Sequence, residues 1–138
     1  MDNKKLPPSF IITAFNSIRK FFLRLSKKMT PPGMHIFELV QGFWLAKAIG
    51  VASSLGIADL LNEKPLSVEL MAEKTKTNPE YLYRLLRMLA GEGIFLEKTN
   101  KVFANHSMSS MLIEEPYSRR YIVEHQTSEN SWKFMSAL

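Results

Sequence analysis

The stretch from Leu66 to Ala104 constrains the fold more than any other part of this chain, because signals for two helices and two strands follow one another within it. Ser67 is a good N-cap, so we expect a helix from about Val68 to Lys74. Thr77 has the spacing of a capping box with Glu80 and should open a second helix. The stretch therefore begins as a helix, a turn and a helix.

The second helix has Pro79 at its first position, where the missing N–H costs nothing, and Gly93 should end it. Its apolar residues recur at helical spacing and form one face, made of Leu82, Leu85, Leu86, Leu89 and Ala90. Two short apolar runs, Ile94 to Glu97 and Val102 to Ala104, are joined by polar residues and suit a β-hairpin. The predicted fold class is mainly α: a winged helix, with long helices that support dimerisation.

The net charge of +5 is the usual mark of a nucleic-acid partner, but it is confined to one part of the chain. Residues 1–28 carry seven Lys or Arg against Asp2 alone, a net charge of +6. All other residues together hold 11 of the 18 basic and 12 of the 13 acidic groups. Since the winged-helix region has no net positive field to attract phosphates, we expect no specific nucleic-acid partner.

Residues 1–33 are predicted to form a basic N-terminal arm that ends in a Pro-Pro-Gly break. Between Ser9 and Lys28, apolar residues at alternating spacings of four and three form one helical stripe, made of Ile11, Phe15, Ile18, Phe22 and Leu25. This pattern favours packing on another helix of the same protein or of a partner. Contact with an anionic membrane surface is the second interpretation. A secretory signal is least favoured, because polar and basic residues interrupt the apolar run.

Residues 34–138 are predicted to form the winged-helix domain, which begins with a helix from Met34 to Leu55. Glu38, Gln41 and Lys47 inside this helix argue against a membrane span, although its length approaches one. Apolar residues cover most of its circumference, so it needs cover on more than one side.

A domain this small cannot easily surround such a helix alone, so a second subunit should supply part of the cover. The alternative is that the N-terminal arm covers it within one chain. We predict a homodimer whose interface includes Phe37, Val40, Phe43, Trp44, Ala48 and Val51.

The sequence contains no self-contained active site. None of the glycines forms a nucleotide-binding loop, and the absence of cysteine excludes disulfides and thiolate chemistry. His35, His106 and His125 are far apart, and each lacks a second ligand at metal spacing. We therefore predict surface or capping roles for the histidines, and no catalytic, cofactor-binding or metal-binding residue in this chain.

DNA binding through the helix from Pro79 to Glu92 is an alternative function. Helices that read the major groove usually lead with basic or amide side chains, whereas the first turn here holds Pro79 and Glu80. Arg84 and Arg87 have the charge to contact phosphates. Pairing of Arg84 with Glu80, four residues earlier, is the simpler interpretation.

Several short motifs in order resemble the N-terminal dimerisation domain of S-adenosylmethionine-dependent O-methyltransferases, of the hydroxyneurosporene, hydroxyindole and plant caffeic-acid type. The motifs are Gly42-Phe43-Trp44, Leu55 to Leu61, Leu70-Met71-Ala72, Tyr81 to Ala90 and Gly93-Ile94-Phe95. Residues 132–138 also look like the helix that leads into the catalytic domain of such enzymes. The resemblance covers the chain from about residue 36 onwards and leaves out the arm from Ser9 to Lys28.

The resemblance implies a winged-helix bundle whose long helices intertwine with those of a second subunit. In this family S-adenosylmethionine binds a separate Rossmann-like domain, which the present sequence does not reach, so no catalytic or cofactor residue carries over. This chain alone is expected to be inactive. A weak role in lining the acceptor pocket carries over to Trp132 and Met135, for which ordinary core packing is the commoner role.

The prediction is thus a homodimeric dimerisation domain of a small-molecule O-methyltransferase, located in the cytoplasm. Peripheral membrane contact through residues 9–28 stays open. Two alternatives are a winged-helix transcription regulator, and a standalone regulatory or tethering partner of a full-length methyltransferase.

Overall fold

The computed structural model describes residues 9–116 and 118–137, with backbone only at residues 134–136. The first eight residues of the predicted arm, Tyr117 and Leu138 lie outside the described residues. The chain divides into two compact units, Met1–Gln41 and Gly42–Leu138.

The first unit contains helix α1, Ser9–Met29, and the start of helix α2, Pro32–Ser54. Both predicted helices are confirmed to within two residues at each end. The break between them is shorter than the Pro-Pro-Gly sequence suggests, because Pro32 already opens α2. A proline is well suited to this first helical position, where its N–H would have had no partner.

The second unit holds the rest of α2 and five further helices. In chain order these are α3 Ile57–Leu60, α4 Val68–Thr75, α5 Pro79–Gly91, α6 Arg120–Thr127 and α7 Glu129–Ser136. The helix-turn-helix of α4 and α5 and the wing that follows it are confirmed, and the fold is mainly α.

The two central helices are capped by side chains, and one of the two predicted caps is wrong. Ser67 caps α4 as expected, since its hydroxyl accepts a hydrogen bond from the N–H of Leu70 at 3.3 Å. Helix α5 is capped by Asn78 rather than Thr77: Oδ1 of Asn78 accepts from the N–H groups of Glu80 and Tyr81 at 2.9 and 3.2 Å. The Thr77 hydroxyl instead lies 2.9 Å from that of Thr75, within hydrogen-bond distance.

The wing is a three-stranded antiparallel sheet in the order β1-β3-β2. Strands β2, Phe95–Glu97, and β3, Val102–Asn105, are the predicted hairpin. Strand β1, Leu66–Ser67, was not predicted, because two residues are too short to show an alternating pattern. It pairs with β3 so that Leu66 lies opposite Phe103.

One hydrophobic core holds the second unit together. Its fully buried large side chains come from α3, α4, α5 and both strands of the hairpin, and include Ile57, Met71, Leu86, Leu89, Phe95 and Phe103. Burial of each such side chain stabilises the fold by about 1.5–3 kcal/mol. The end of α2 joins this core through the small buried residues Ala48, Gly50, Ala52 and Ser53 and through the partly buried Leu45 and Ile49. Its exposed large side chains, among them Phe43, Trp44 and Val51, remain available for other contacts.

Candidate subunit interface

Helix α2 exposes an unusually large number of apolar side chains. The exposed large hydrophobic residues on it are Met34, Ile36, Phe37, Leu39, Val40, Phe43, Trp44 and Val51. Isolated exposed apolar residues are normal in a soluble protein, but this many on one helix mark a surface that is covered by something else.

By length and composition, α2 is the one helix in the described part of the chain that could cross a membrane. The same test is passed by helices that are covered by protein. The last turns of α2 pack into the core of the second unit, and Nζ of Lys47 donates to the carbonyl of Thr127 at 2.9 Å. These contacts favour protein cover over a lipid environment.

The six residues predicted at the interface do not behave alike. Phe37 and Val40, in the first unit, are exposed. In the second unit Trp44 and Val51 are 61% and 48% exposed, and Phe43 is also exposed. Ala48 is 5% exposed and packs in the core of its own chain, so its side chain is not on this surface. The interface itself stays a prediction for the other five residues.

Next to Val51 lies an open groove of about 420 Å³ between the end of α2 and the start of α5. It is lined by Val51, Leu55, Thr77, Asn78, Tyr81, Leu82 and Leu85. Its polar groups are those of Thr77, Asn78 and Tyr81, and the side chains of Thr77 and Asn78 have hydrogen-bond partners within the chain. The rest of the lining is Val51 and three leucines, so the groove suits an apolar side chain better than a polar ligand.

Trp132 is held against α2 by an aromatic contact. Its ring meets that of Phe43 edge-on, with the centroids 4.5 Å apart, and Nζ of Lys47 lies 4.7 Å from the Trp132 centroid. This packing attaches α7 to α2. The indole N–H is buried and has no hydrogen-bond partner among the described residues. A role for Trp132 in lining a substrate pocket stays a prediction, as it does for Met135, whose side chain lies outside the described residues.

Helices α2 and α6 approach closely at Gly50. A Cβ built on Gly50 would lie 2.6 Å from Cβ of Thr127, which no pair of real side chains can tolerate. Ser53, one turn later in α2, donates to Oε1 of Glu124 in α6 at 3.2 Å. The sequence signal for this approach was available, because a glycine inside a helix costs about 1 kcal/mol relative to alanine and often has a packing reason.

Arg120 is the centre of an ion-pair network that fixes the start of α6. Its guanidinium contacts Oδ2 of Asp59 at 2.7 Å, Oε1 of Glu124 at 2.8 Å and Oε2 of Glu114 at 3.3 Å. The hydrogen bond to Glu124 is the main cause that raises the pKa of Arg120, against an opposing effect of burial. Sequence analysis missed this cluster, since Asp59 is distant in the chain and only the fold brings it to Arg120.

Among the described residues, no group of three or more His, Asp or Glu side chains is arranged to hold a metal ion. His35 lies 3.6 Å from Glu38, and His106 accepts or donates to Ser107 at 3.2 Å.

The predicted pairing on α5 is confirmed, because Arg84 forms an ion pair with Glu80. Arg84 is thus engaged within its own helix, and its positive charge is partly neutralised.

Comparison with known proteins decides the family. The family model of the O-methyltransferase dimerisation domain matches residues 37–115, more than half of the chain. This chain belongs to that family. The match contains the exposed part of α2 from Phe37 onwards, the groove and the whole helix-turn-helix with its wing. It gives no support to the DNA-binding alternative.

The mitomycin biosynthesis 6-O-methyltransferase of Streptomyces lavendulae is 39% identical to this dimerisation domain over 82 residues, which are 59% of this chain and 24% of that protein. The structure of the mitomycin 7-O-methyltransferase MmcR matches with a TM-score of 0.72 and 29% identity, over 85% of this chain and 34% of that one. CalO1, a methyltransferase of calicheamicin biosynthesis in its SAH-bound form, matches with a TM-score of 0.64 and 26% identity, over 72% and 30% of the chains.

The chain spans about a quarter of the length of the curated relatives that it matches. CalO1 is in an SAH-bound form, so S-adenosylmethionine is implied as the cofactor of a full-length enzyme of the family. A dimerisation domain also implies the formation of a homodimer.

Proposed function

We propose that this chain supplies the dimerisation domain of a small-molecule O-methyltransferase, and that α2 is the helix through which two copies associate. The observation that carries the proposal is the family match over residues 37–115, which includes the exposed apolar side chains of α2 from Phe37 onwards.

The second unit provides both halves of a self-complementary contact. Trp44 and Val51 project apolar surface into solvent, while the groove beside Val51 is open and apolar. A two-fold axis brings the same patch of both copies together, so a projecting side chain of one copy can fill the groove of the other. An aromatic residue such as Trp44 in a well-packed pocket is a typical hot spot of such an interface.

For the whole enzyme, we also propose the methyl donor and the class of acceptor. S-adenosylmethionine supplies the methyl group in the family, and small aromatic metabolites fit the names of the relatives. We propose that these 138 residues alone neither bind the cofactor nor transfer methyl groups. Isothermal titration with S-adenosylmethionine is expected to show no heat of binding, and stoichiometric binding would contradict this part of the proposal.

The dimer is tested by the mass of the protein in solution. Sedimentation equilibrium of the wild-type chain should give twice the monomer mass of 15.8 kDa. Val51→Asp adds a negative charge to the centre of the proposed contact and should shift the protein to monomer, because an unpaired charge at an interface is costly to desolvate.

The matched control is Leu70→Asp, which makes the same change at an aliphatic residue of α4 that is 39% exposed and lies away from the groove. It should leave the dimer intact. A monomeric wild-type chain, or equal weakening by both substitutions, would contradict the proposal. Circular dichroism of all three proteins separates loss of association from loss of folding.

A further inference from the structure

Helix α1 has two sharply different faces. On a helical projection, nine of its apolar residues fall within an arc of about 140°. They are Phe10, Ile11, Ala14, Phe15, Ile18, Phe21, Phe22, Leu25 and Met29. Ile12 and Leu23 are the apolar residues outside this arc. The other residues outside it are serine, threonine, asparagine and basic residues, so the rest of the helix surface is mostly polar.

None of the residues of α1, all of which the structure describes, is buried. All four phenylalanines of the helix are exposed. Within its own unit α1 therefore leaves its apolar face uncovered, and its packing on another helix stays a prediction. An apolar face of this size marks a surface that is covered by a partner or a membrane.

The charge on α1 has one sign. It carries Arg19, Lys20, Arg24, Lys27 and Lys28, and no acidic residue. Lys28 falls at one border of the apolar arc, Arg19 and Arg24 lie about 40° outside it on either side, and Lys20 and Lys27 lie on the opposite side. Basic residues at such borders can keep their aliphatic stems on apolar surface while their charges stay in water, as they do at a bilayer surface.

The two long helices of a second copy complement the charge of this helix poorly. Two α1 helices packed together would bring two sets of five like charges near each other, without an acidic residue on either helix. Helix α2 of a second copy offers one acidic residue, Glu38, and that side chain lies 3.6 Å from His35 in its own chain. Neither of the two long helices of a second copy therefore supplies the negative charge that would complement α1.

We propose that α1 binds flat on an anionic lipid bilayer, with its apolar arc among the acyl chains and its basic residues among the lipid headgroups. This inference goes beyond the proposed dimerisation, since α1 lies outside residues 37–115. An anionic bilayer supplies both an apolar layer and negative charge, and basic amphipathic helices bind it through these two contributions together. A protein of the cytoplasm, as we propose this one to be, meets such a surface at the inner leaflet of the membrane.

The test is flotation of the full chain with vesicles of three parts phosphatidylcholine to one part phosphatidylserine, at about 0.1 M NaCl. We expect the protein to float with these vesicles and to remain largely behind with pure phosphatidylcholine. Raising the salt to about 1 M shortens the Debye length from about 10 Å to about 3 Å and should release much of the bound protein.

Two variants with the same change in charge isolate the apolar arc. Ile18→Glu places a carboxylate at the centre of the arc, and Asn16→Glu places one on the polar side. Asn16→Glu should weaken the partition coefficient about fivefold, as expected for one unit of charge near the surface. Ile18→Glu should weaken it at least about tenfold more, because it also removes a buried apolar side chain.

Equal effects of the two variants would overturn the proposal, because binding would then depend on charge alone. Absence of flotation by the wild-type chain would also overturn it. If, in addition, Ile18→Glu but not Asn16→Glu converted a dimer to monomer, the cover of α1 would be a second copy of the chain. The dimer assay with Val51→Asp is independent of these results, so failure of one proposal is distinguishable from failure of the other.

Discussion

Gly50 and Thr127 are in direct contact, and the absence of a side chain at Gly50 is what allows it. The space that a Cβ on Gly50 would occupy is filled by the Thr127 side chain, whose Oγ1 also donates to the carbonyl of Val123 at 2.8 Å. Helix α6 therefore lies against the backbone of α2. This contact, together with Arg120, places α6 and the start of α7 on the winged-helix unit.

Gly50→Ala should destabilise the fold, although alanine is the better helix former. The gain in helix propensity is about 1 kcal/mol, whereas overpacking costs about 1–3 kcal/mol, so we expect a net loss of about 1 kcal/mol. Urea denaturation followed by circular dichroism measures it. Adding Thr127→Gly should restore the stability, since it removes the opposing Cβ.

Gly91→Ala is the matched control for this effect, because a Cβ there meets nothing within 4 Å. It should leave the midpoint unchanged or raise it. If Gly50→Ala behaved in the same way, the close approach of α2 and α6 would not exist in solution.

Removal of Arg120 should be costly because it leaves three carboxylates without their shared counter-charge. The Arg120 side chain is 16% exposed, so the loss is smaller than for a fully buried ion pair, and we expect Arg120→Met to lower the free energy of unfolding by about 1–2 kcal/mol. Arg84→Met provides the control, because the Arg84 side chain is 68% exposed and its pair with Glu80 should contribute about 0.5 kcal/mol or less. Similar losses in the two variants would argue against a structural role for the Arg120 network.

The cap of α5 gives a prediction that separates two neighbouring residues. Asn78→Ala should lower the stability by about 1 kcal/mol, because two N–H groups of the first turn lose their acceptor. Asn78→Asp should retain most of the stability, since its carboxylate can accept the same hydrogen bonds. Thr77→Ala should cost less than Asn78→Ala, and thermal denaturation of the three variants orders them. A larger loss of stability in Thr77→Ala than in Asn78→Ala would show that Thr77, and not Asn78, caps α5.

Tyr121 should titrate above an ordinary tyrosine. Its hydroxyl donates to Oε1 of Glu114 at 3.1 Å, and this hydrogen bond is the main cause that raises the pKa of Tyr121, with the charge of Glu114 adding to it. Because the neutral phenol is the form that the fold favours, its stabilising contact is present below the pKa of a free tyrosine and is lost as the pH rises through the raised value.

Phenolate absorbance during an alkaline titration measures this shift, with Tyr121→Phe subtracted to isolate one residue. Glu114→Gln should lower the pKa of Tyr121 towards its ordinary value, since the amide carries no charge that repels the phenolate. An unchanged titration curve in Glu114→Gln would show that the hydrogen bond is not populated.

Local sequence signals were sufficient for the long helices, the helix-turn-helix, the β2–β3 hairpin and the family. The helical repeat of Leu82, Leu86 and Leu89, the Ser67 cap and the two apolar runs of the wing each act within a few residues. Such interactions are determined by chain neighbours, so the helix-turn-helix could be read without the tertiary structure. The order of the short motifs further gave the resemblance to O-methyltransferase dimerisation domains, which the family match confirms.

Tertiary structure decided what depends on partners distant in the chain. Strand β1 exists only because β3, some thirty-five positions later in the chain, lies beside it. The Arg120 cluster joins Asp59 to residues more than fifty positions later, and Ala48 turned out to face its own core rather than the predicted interface. A sequence records which side chains are available, but the burial and the partner of each depend on distances that exist only after the chain has folded.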